Sequence, residues 1–456
     1  MIHKSMEMHI PIDVKMILDC LKNNGYESYI VGGSVRDCKI GRTMPKDYDI
    51  TTNALPGEII RIFDKTVPTG IEHGTVTVMI NSEGYEVTTY RIDGEYRDNR
   101  RPEGVTFVLN LKEDLARRDF TINALAFNEE HGLIDYFGGR VDLENKIIRA
   151  VGEPNKRFQE DALRMLRAIR FAASLDFHIE ENTLEAIKAN SHLILNVSNE
   201  RIRDELCKML LTNNTTKALR TLEETKLLEF ILPELEIAVG FNQQNPHHDK
   251  DIFEHILAVV EKCPQSLDLR VAGLLHDIAK PYCFTMDKEG IGHFYGHDKK
   301  GVIISKNILR RLKFDNQSIS KICILVKEHM NVLIKPTDAS VKRLINRVGV
   351  DSVHDLFALQ RADALGSHHP EIRLEEISRV EEKVIAILES KVPLYIKDLA
   401  INGEDLMREF SIKTGKEIGD MLKFLLDKVL ENPELNSKER LLDIIYHEHI
   451  KGLKGF

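Results

Sequence analysis

The chain has 456 residues, of which 42% are hydrophobic and 30% charged, with a net charge of −9. That length exceeds what one hydrophobic core supports, so two to four domains are expected. The N-terminal segment lacks the pattern of a signal peptide and no apolar run approaches the length of a membrane span, so a membrane partner is not expected. The negative charge argues against a protein coated by nucleic acid, although a local basic groove remains possible.

The cysteines are scattered without C-x-x-C spacing, which excludes both a zinc ribbon and a disulfide framework. Such cysteine usage is typical of a reducing compartment, and a cytoplasmic location is predicted. The six are Cys20, Cys38, Cys207, Cys263, Cys283 and Cys323.

The first 150 residues contain short β-like runs at 29–31, 75–80 and 85–91. The last two runs are separated by a turn at 81–84, which predicts a β-hairpin. From residue 156 onward, apolar residues recur at steps of three and four, which predicts helices in nearly all of the remainder. The predicted fold class is therefore α+β, with a small α/β head carrying a mixed or mostly antiparallel sheet, followed by helical regions.

Two glycines, Gly32 and Gly33, directly follow the first β-like run and precede a short helical stretch that contains Arg36. Glycine lets the backbone approach a phosphate closely, and a helix N-terminus favours anions. The pair alone is equally typical of a plain tight turn.

Asp47 and Asp49 follow, and side chains that alternate along an extended chain place both carboxylates on one face. Two converging carboxylates repel each other unless a hard cation such as Mg²⁺ lies between them. Glu86, in the hairpin, offers a third carboxylate, and three such groups can hold two metals for in-line attack on a phosphate.

Together these residues resemble the active-site signature of the nucleotidyltransferase superfamily, in its branch of class II tRNA nucleotidyltransferases and bacterial poly(A) polymerases. The resemblance implies that Asp47 and Asp49 bind Mg²⁺ and that Glu86 activates the primer hydroxyl. It also implies that Gly32, Gly33 and Arg36 hold the triphosphate.

Two later segments resemble nucleotide-binding parts of the same family. In the segment 117–124 the resemblance assigns contacts with the nucleotide sugar to Arg118, Asp119 and Asn123. The segment 160–170 resembles the helix that recognises the base, and the nucleotide-binding residues expected in it are Asp161, Arg164, Arg167 and Arg170.

Asp161 and Arg164 are three residues apart, which predicts that both lie on one helix face. There a carboxylate accepts from the exocyclic amine of cytosine or adenine while a guanidinium donates to ring acceptors. Uracil and guanine reverse that pattern, so they are disfavoured. The alternative is an exposed salt bridge worth only about 0.2–0.5 kcal/mol. The later segment 198–205 reads as a structural helix start, with Ser198 as cap and Arg201 paired with Glu205.

Histidine and aspartate residues in the helical region occur in the order of the HD phosphohydrolase signature: His255, His276, Asp277 and Asp363. This set suits a second divalent metal, and His293 and His297 are candidate additional ligands. The segment 245–256 also resembles the HD-bearing subgroup of tRNA nucleotidyltransferases. Two alternatives stay open, a phosphohydrolase that trims damaged tRNA ends and a metal-binding scaffold without turnover.

The C-terminal stretch resembles the family tail that docks on tRNA, although lysines such as Lys413, Lys416 and Lys423 are typical of any exposed helix. The resemblance divides the chain into a catalytic head (1–150), a base-recognising neck (151–240), an HD-type helical body (241–395) and a tRNA-binding tail (396–456).

The predicted function is addition of C, C and A from CTP and ATP to the 3′ end of tRNA. An A-adding enzyme or a poly(A) polymerase is the alternative, whereas the intact loop at 90–102 disfavours CC-only addition. A stand-alone HD phosphohydrolase with a decayed head is disfavoured because Asp47, Asp49 and Glu86 are all present. A purely structural RNA-binding protein would leave both metal constellations unexplained.

Overall fold

The computed structural model describes residues 8–41, 47–94, 104–244, 250–410 and 415–452. The chain forms two compact units, Met1–Glu236 and Ile237–Phe456. Their boundary lies four residues before the predicted end of the neck at residue 240. The division into four functional parts remains a prediction.

The first unit is built on a mixed sheet. Its strands are β1 (Ser28–Val31), β2 (Asp49–Thr52), β3 (Thr66–Gly70), β4 (Thr75–Ile80), β5 (Glu83–Thr89), β6 (Arg91–Asp93), β7 (Val105–Phe107), β8 (Leu125–Asn128), β9 (Gly132–Asp135), β10 (Ile147–Ile148) and β11 (His178–Ile179). Seven of them form one sheet in the order β3-β4-β5-β2-β1-β8-β9, while β6 pairs with β7 and β10 with β11.

The hairpin predicted between residues 75 and 91 is confirmed as β4 and β5. Its turn is tighter than expected, since Asn81 and Ser82 alone connect the strands and both have positive φ, 49° and 70°. Left-handed conformations at both turn residues match the right-handed twist of the strands.

Strand register brings the predicted head residues together at one end of β1, β2 and β5. β2 is antiparallel to β1, with Asp49 opposite Val31, and parallel to β5, with Ile50 opposite Val87. Gly32 follows directly after Val31, and Glu86 directly precedes Val87. The sheet therefore places the glycine turn, the aspartate pair and Glu86 side by side.

The helices of the first unit are α1 (Ile12–Asn23), α2 (Gly33–Lys39), α3 (Pro56–Ile62), α4 (Leu111–Ala116), α5 (Gly139–Glu144), α6 (Pro154–Glu160), α7 (Leu163–Leu175), α8 (Glu181–Asn190), α9 (Asn199–Leu210), α10 (Thr215–Glu224), α11 (Leu227–Ile231) and α12 (Pro233–Glu236). The apolar pattern from residue 156 onward covers two helices, because Asp161 adopts an extended conformation between α6 and α7. Its Oδ1 accepts from the backbone N–H of Leu163 at 3.1 Å, and this bond satisfies a donor in the first turn of α7.

Within the residues that the structure describes, the second unit is helical apart from the hairpin of β12 (Thr285–Met286) and β13 (Gly292–His293). Its helices are α13 (Ile252–Lys262), α14 (Leu267–Leu275), α15 (His297–Arg311), α16 (Asn316–Glu328), α17 (Asp338–Val348), α18 (Val353–Gly366), α19 (Glu371–Glu389), α20 (Gly403–Phe410), α21 (Lys416–Glu431) and α22 (Lys438–Gly452). The predicted α+β class is thus confirmed. Across the described ranges, none of the helices combines the length and apolarity needed to cross a membrane.

Gly139, the first residue of α5, packs against the 3₁₀ turn Thr121–Asn123. A Cβ there would stand 2.2 Å from the Thr121 carbonyl oxygen, whereas a Cβ at Gly57 in α3 would meet nothing within 4 Å. Gly139→Ala should therefore lower the free energy of unfolding by about 1–3 kcal/mol, as overpacking does. Gly57→Ala, the matched control, should leave it unchanged or raise it by up to about 1 kcal/mol, because alanine favours the helix. Equal unfolding temperatures for the two variants in a thermal melt would contradict this packing.

Candidate active site and metal-binding cluster

The glycine turn after β1 forms one wall of the candidate active site. Gly32 has φ +74°, which favours glycine, and its carbonyl oxygen accepts from the Arg36 N–H at 3.2 Å. A Cβ at Gly32 would stand 3.1 Å from Arg118 Nη1 and 3.7 Å from Asp49 Oδ2. The turn, a guanidinium and a carboxylate therefore meet at this point.

The predicted aspartate pair borders the same turn. Asp47 and Asp49 are both exposed while Tyr48 between them is buried, as alternation along an extended chain requires. Asp49 remains accessible to solvent, yet loss of surrounding water raises the pKa of its carboxyl. The Arg118 charge opposes this effect, and the Asp47 charge adds to it. Neighbouring carboxylates whose ionised forms disfavour each other suit a divalent cation, so the donor set fits the predicted metal.

Arg118 lies beside these carboxylates as a largely buried cation. Burial lowers the pKa of its guanidinium, and the nearby charge of Asp114 counteracts that effect. The buried Arg118 Nε has no hydrogen-bond partner among the described residues. A buried donor without a partner is costly, and an anion bound at the turn would satisfy it.

A hydrogen-bonded chain connects the glycine turn with α7. Arg36 Nη1 donates to Asn123 Oδ1 at 2.7 Å, and Asn123 Nδ2 donates to Asp119 Oδ1 at 3.0 Å. Arg167 in α7 pairs with Asp119 Oδ2 at 2.6 Å. Burial raises the pKa of the Asp119 carboxyl, but the Arg167 charge and these hydrogen bonds outweigh burial and bring it to about 2. Asp119 is therefore an ionised link between the head and α7.

The predicted shared helix face for Asp161 and Arg164 is wrong. Asp161 lies outside both helices. One oxygen of its carboxylate caps α7, and the other pairs with Arg201 at 2.9 Å. Arg164 is buried and donates to Glu160 Oε2 at 2.8 Å and to the Arg117 carbonyl at 2.9 Å. The alternative of an Asp161–Arg164 salt bridge is not formed either, and base recognition by these residues stays a proposal.

The pairing expected within 198–205 is also wrong. Ser198 precedes α9 without a side-chain cap, and the partner of Arg201 is Asp161 instead of Glu205. Glu205 accepts from Arg170 Nε in α7. Both α9 residues therefore tie α9 to the candidate base-recognition segment.

Four buried histidines in the second unit point their Nε2 atoms at one another. Each Nδ1 lies within hydrogen-bond distance of a backbone carbonyl, which only accepts, so Nδ1 carries the proton and Nε2 presents its lone pair. The pairs are His255 with Gly366 at 3.4 Å, His276 with Gly273 at 2.8 Å, His297 with Phe294 at 2.8 Å and His329 with Val326 at 2.6 Å.

Asp277 lies between these histidines and directs one carboxylate oxygen at each pair. Its Oδ2 lies 3.4 Å from His255 Nε2 and 3.2 Å from His276 Nε2. Its Oδ1, which is buried, lies 3.4 Å from His297 Nε2 and 3.6 Å from His329 Nε2. Lone pairs that face carboxylate oxygens favour a positive charge between them, and the donor types at both positions suit a divalent metal.

Other residues complete this cluster. Asp363 Oδ1 lies 3.1 Å from His255 Nε2, and its Oδ2 accepts from Arg373 at 2.7 Å. Lys280 Nζ lies 2.6 Å from Asp277 Oδ2, where it neutralises part of the carboxylate charge.

The structure therefore brings together the predicted His255, His276, Asp277 and Asp363, and with them His297, one of the two predicted additional ligands. His293 pairs with Asp287 at 2.8 Å in the hairpin instead. His329 was not predicted, because a lone histidine at a helix end carries no motif. Residues 245–249, which begin the segment that resembles the HD-bearing subgroup, lie outside the described residues.

Comparison with known proteins yields three matching family profiles. "Poly A polymerase head domain" matches residues 28–149, "Probable RNA and SrmB- binding site of polymerase A" matches 176–238, and "tRNA nucleotidyltransferase domain 2" matches 303–445. A protein of Pediococcus pentosaceus named CCA-adding enzyme is 36% identical over 436 residues, which cover 95% of this chain and 97% of the relative. The chain belongs to the CCA-adding enzymes. The predicted resemblance to class II tRNA nucleotidyltransferases is thereby confirmed.

Further CCA-adding enzymes agree over the whole chain. The protein from Staphylococcus epidermidis is 33% identical, covering 96% of this chain and 98% of the relative. The crystal structure of the Bacillus stearothermophilus CCA-adding enzyme in complex with CTP has a TM-score of 0.74 at 29% identity, covering 98% of this chain and all of that one. The Thermotoga maritima CCA-adding enzyme complexed with tRNA, at 22% identity, 97% coverage of each chain and a TM-score of 0.61, supports the fold alone. Nucleotidyltransferase membership implies use of a divalent metal ion.

The short distance between the Gly32 Cβ position and Arg118 Nη1 predicts that the turn does not tolerate a side chain. Gly32→Ala should lower kcat/KM for nucleotide addition about tenfold or more, because the added methyl group displaces the Arg118 guanidinium from its position beside Asp49. Gly41→Ala is the matched control, since Gly41 has the same φ of +74° and no atom within 4 Å of an added Cβ. Equal losses in both variants, measured by steady-state kinetics, would reduce the effect to backbone strain.

Proposed function

We propose that this chain adds C, C and A to the 3′ end of tRNA, using CTP and ATP and no nucleic-acid template. The observation that carries this function is the convergence of Gly32, Asp49 and Arg118 at the ends of neighbouring strands, in a chain that belongs to the CCA-adding enzymes. The B. stearothermophilus relative was solved with CTP, and the T. maritima relative with tRNA.

In this proposal Asp47 and Asp49 hold Mg²⁺, which supplies charge neutralisation at the reacting phosphate when it is bound. Gly32 and Gly33 let the backbone approach the triphosphate, while Arg36 donates to its oxygens. Arg118, which the family resemblance assigns to the nucleotide sugar, lies beside the glycine turn, so we assign it to the triphosphate instead. Glu86, exposed on β5 beside Asp49, accepts the proton of the primer hydroxyl. Arg118 is already desolvated, so little reorganisation is needed at the moment of reaction.

Base selection is assigned to Asp161 and Arg164, with Arg167 and Arg170 as further nucleotide-binding residues. The Asp161 carboxylate accepts from the amine that cytosine and adenine share, and the Arg164 guanidinium donates to the adjacent ring acceptor. Asp161 is already paired with Arg201, and Arg164 with Glu160. These ion pairs hold both groups in fixed positions. Asp119 and Asn123 contact the sugar.

The deciding experiment incubates the protein with Mg²⁺, labelled tRNA lacking its terminal CCA, and each nucleoside triphosphate singly and together. Addition of C, C and A followed by a stop supports the proposal. No extension of this substrate, together with one A added to a second substrate that already ends in CC, would show the A-adding alternative. Long A tails would show a poly(A) polymerase. Residues 95–102 of the loop that disfavours CC-only addition lie outside the described residues, so the assay also scores a stop after CC.

Removing the aspartate pair should abolish this chemistry without unfolding the chain. Asp47→Ala and Asp49→Ala should each lower the addition rate at least about 100-fold, because the charge that holds the metal is lost. Asp64→Ala, at another exposed aspartate of the same unit, should retain activity. Nucleotide addition that survives in the double variant would refute the mechanism.

We also propose a cytoplasmic location and a tRNA-docking role for the C-terminal tail. The six cysteines are scattered without C-x-x-C spacing, which is typical of proteins in a reducing compartment. Lys416 and Lys423 lie on α21, where they suit phosphate contact, whereas Lys413 is outside the described residues.

A second candidate function, metal-dependent hydrolysis of phosphate esters in an HD-type body, is favoured by the cluster around Asp277. The cluster contains two groups of candidate metal ligands that share Asp277. Within each group the ligand atoms lie within 4.8 Å of one another. The groups are His255–His276–Asp277 and Asp277–His297–His329. Two adjacent metals can position a hydroxide and a phosphate for in-line attack. The alternative, a metal-binding scaffold without turnover, binds the same ions.

Metal content distinguishes the two ligand groups. In the Asp47→Ala, Asp49→Ala background, the protein should bind about two Mn²⁺ ions, one for each group. His329→Ala should remove one ion, and the control His354→Ala, at an exposed histidine, should remove none. Equilibrium dialysis with metal analysis measures the number of Mn²⁺ ions bound per protein chain. Unchanged metal binding in His329→Ala would exclude a metal ion in the Asp277–His297–His329 group.

A hydrolysis assay distinguishes a phosphohydrolase from a metal-binding scaffold without turnover. Hydrolysis of a 2′,3′-cyclic phosphate by the unmodified protein, and its loss in Asp277→Asn, would support the phosphohydrolase.

A further inference from the structure

The ring of Phe171 on α7 lies against three guanidinium groups. The distances from the ring centroid to the guanidinium carbons are 5.0 Å for Arg36, 5.4 Å for Arg167 and 4.0 Å for Arg170. Phe171 is only 6% exposed. Arg36 belongs to the helix that follows the glycine turn, whereas Arg167 and Arg170 belong to α7 itself. One aromatic side chain therefore contacts cations from the head and from the candidate base-recognition helix.

Each of these arginines has its own carboxylate, and no two share one. Arg36 pairs with Asp37 at 2.8 Å, Arg167 with Asp119 at 2.6 Å, and Arg170 with Glu205. The three carboxylates lie on three separate segments. Asn123 and Asp119 link Arg36 with Arg167, whereas the Phe171 ring contacts all three guanidinium groups. The electron-rich faces of an aromatic ring attract cations, which makes Phe171 the common contact of the group.

The ring itself is held in place. Phe120, which is fully buried and directly follows Asp119, packs edge-to-face on Phe171 at 5.8 Å and 79°. Because Phe171 lies one helical turn beyond Arg167 and two beyond Arg164, its position is fixed relative to the whole recognition segment. Arg36 Nη2, in turn, lies 3.5 Å from the position that a Cβ of Gly33 would occupy.

We infer that Phe171 is a positioning residue that sets where the nucleotide triphosphate lies relative to the groups that recognise its base. Resting against Arg36, the ring fixes the phosphate-binding guanidinium of the head to the helix that carries Arg164 and Arg167. The inference rests on the proposed nucleotide addition. Phe171 touches no substrate in this assignment and acts through the arginines.

The test compares Phe171→Leu with Phe158→Leu in single-nucleotide addition to tRNA lacking CCA. Phe158 is a fully buried phenylalanine on α6 whose ring meets no guanidinium among the described cation–ring contacts, so it controls for lost packing. Phe171→Leu should lower kcat for C addition about tenfold and raise U incorporation relative to C severalfold, because the phosphate and the base are no longer held in register. Phe158→Leu should lower the unfolding temperature while leaving the U-to-C ratio at the wild-type value.

Phe171→Tyr keeps the ring and should restore both kcat and the U-to-C ratio. Phe171→Met, whose flexible side chain fills a similar volume, provides a second ringless variant should Phe171→Leu fail to fold. A wild-type U-to-C ratio in the ringless variants, or the same change in Phe158→Leu, would overturn the inference. Failure of the wild-type protein to add C at all would instead refute the proposed function.

Discussion

The pairing of β2 with β1 on one side and with β5 on the other is the constraint on which the candidate active site depends. Hydrogen-bond register fixes which residues are neighbours, and it sets Asp49 opposite Val31 and Ile50 opposite Val87. A slip of one position would turn the side chains of β2 to the other face. The glycine turn, the aspartate pair and Glu86 therefore depend on backbone pairing more than on contacts among themselves.

Around that sheet the remaining residues supply positive charge in a desolvated setting. Arg118 stands beside the turn, and the chain of contacts from Arg36 through Asn123 and Asp119 reaches Arg167 in α7. Each cation is held by a carboxylate, so the site is electrostatically stable before any ligand arrives. Such preorganisation is what a polymerase needs if the nucleotide is to meet groups already in position.

Sequence patterns predicted the head well because its signals are local. Turn residues between two β-like runs marked the hairpin, and alternation placed Asp47 and Asp49 on one face. The same reasoning failed at Asp161, since helical periodicity does not reveal that a carboxylate caps the following helix. It also missed His329, which meets His297 only after α15 and α16 pack together. Arg201 and Glu205 were paired with each other because spacing along one helix gives no information about partners on another.

The four buried histidines of the second unit all place Nδ1 within hydrogen-bond distance of a backbone carbonyl. Each ring already donates its Nδ1 proton to a backbone carbonyl, so its second nitrogen faces the interior with a free electron pair. Any additional proton taken up by these rings must enter the positions that a metal ion would use. Occupancy of the cluster is thus a competition between protons and metal ions, and a fall in pH alone shifts the balance toward protons.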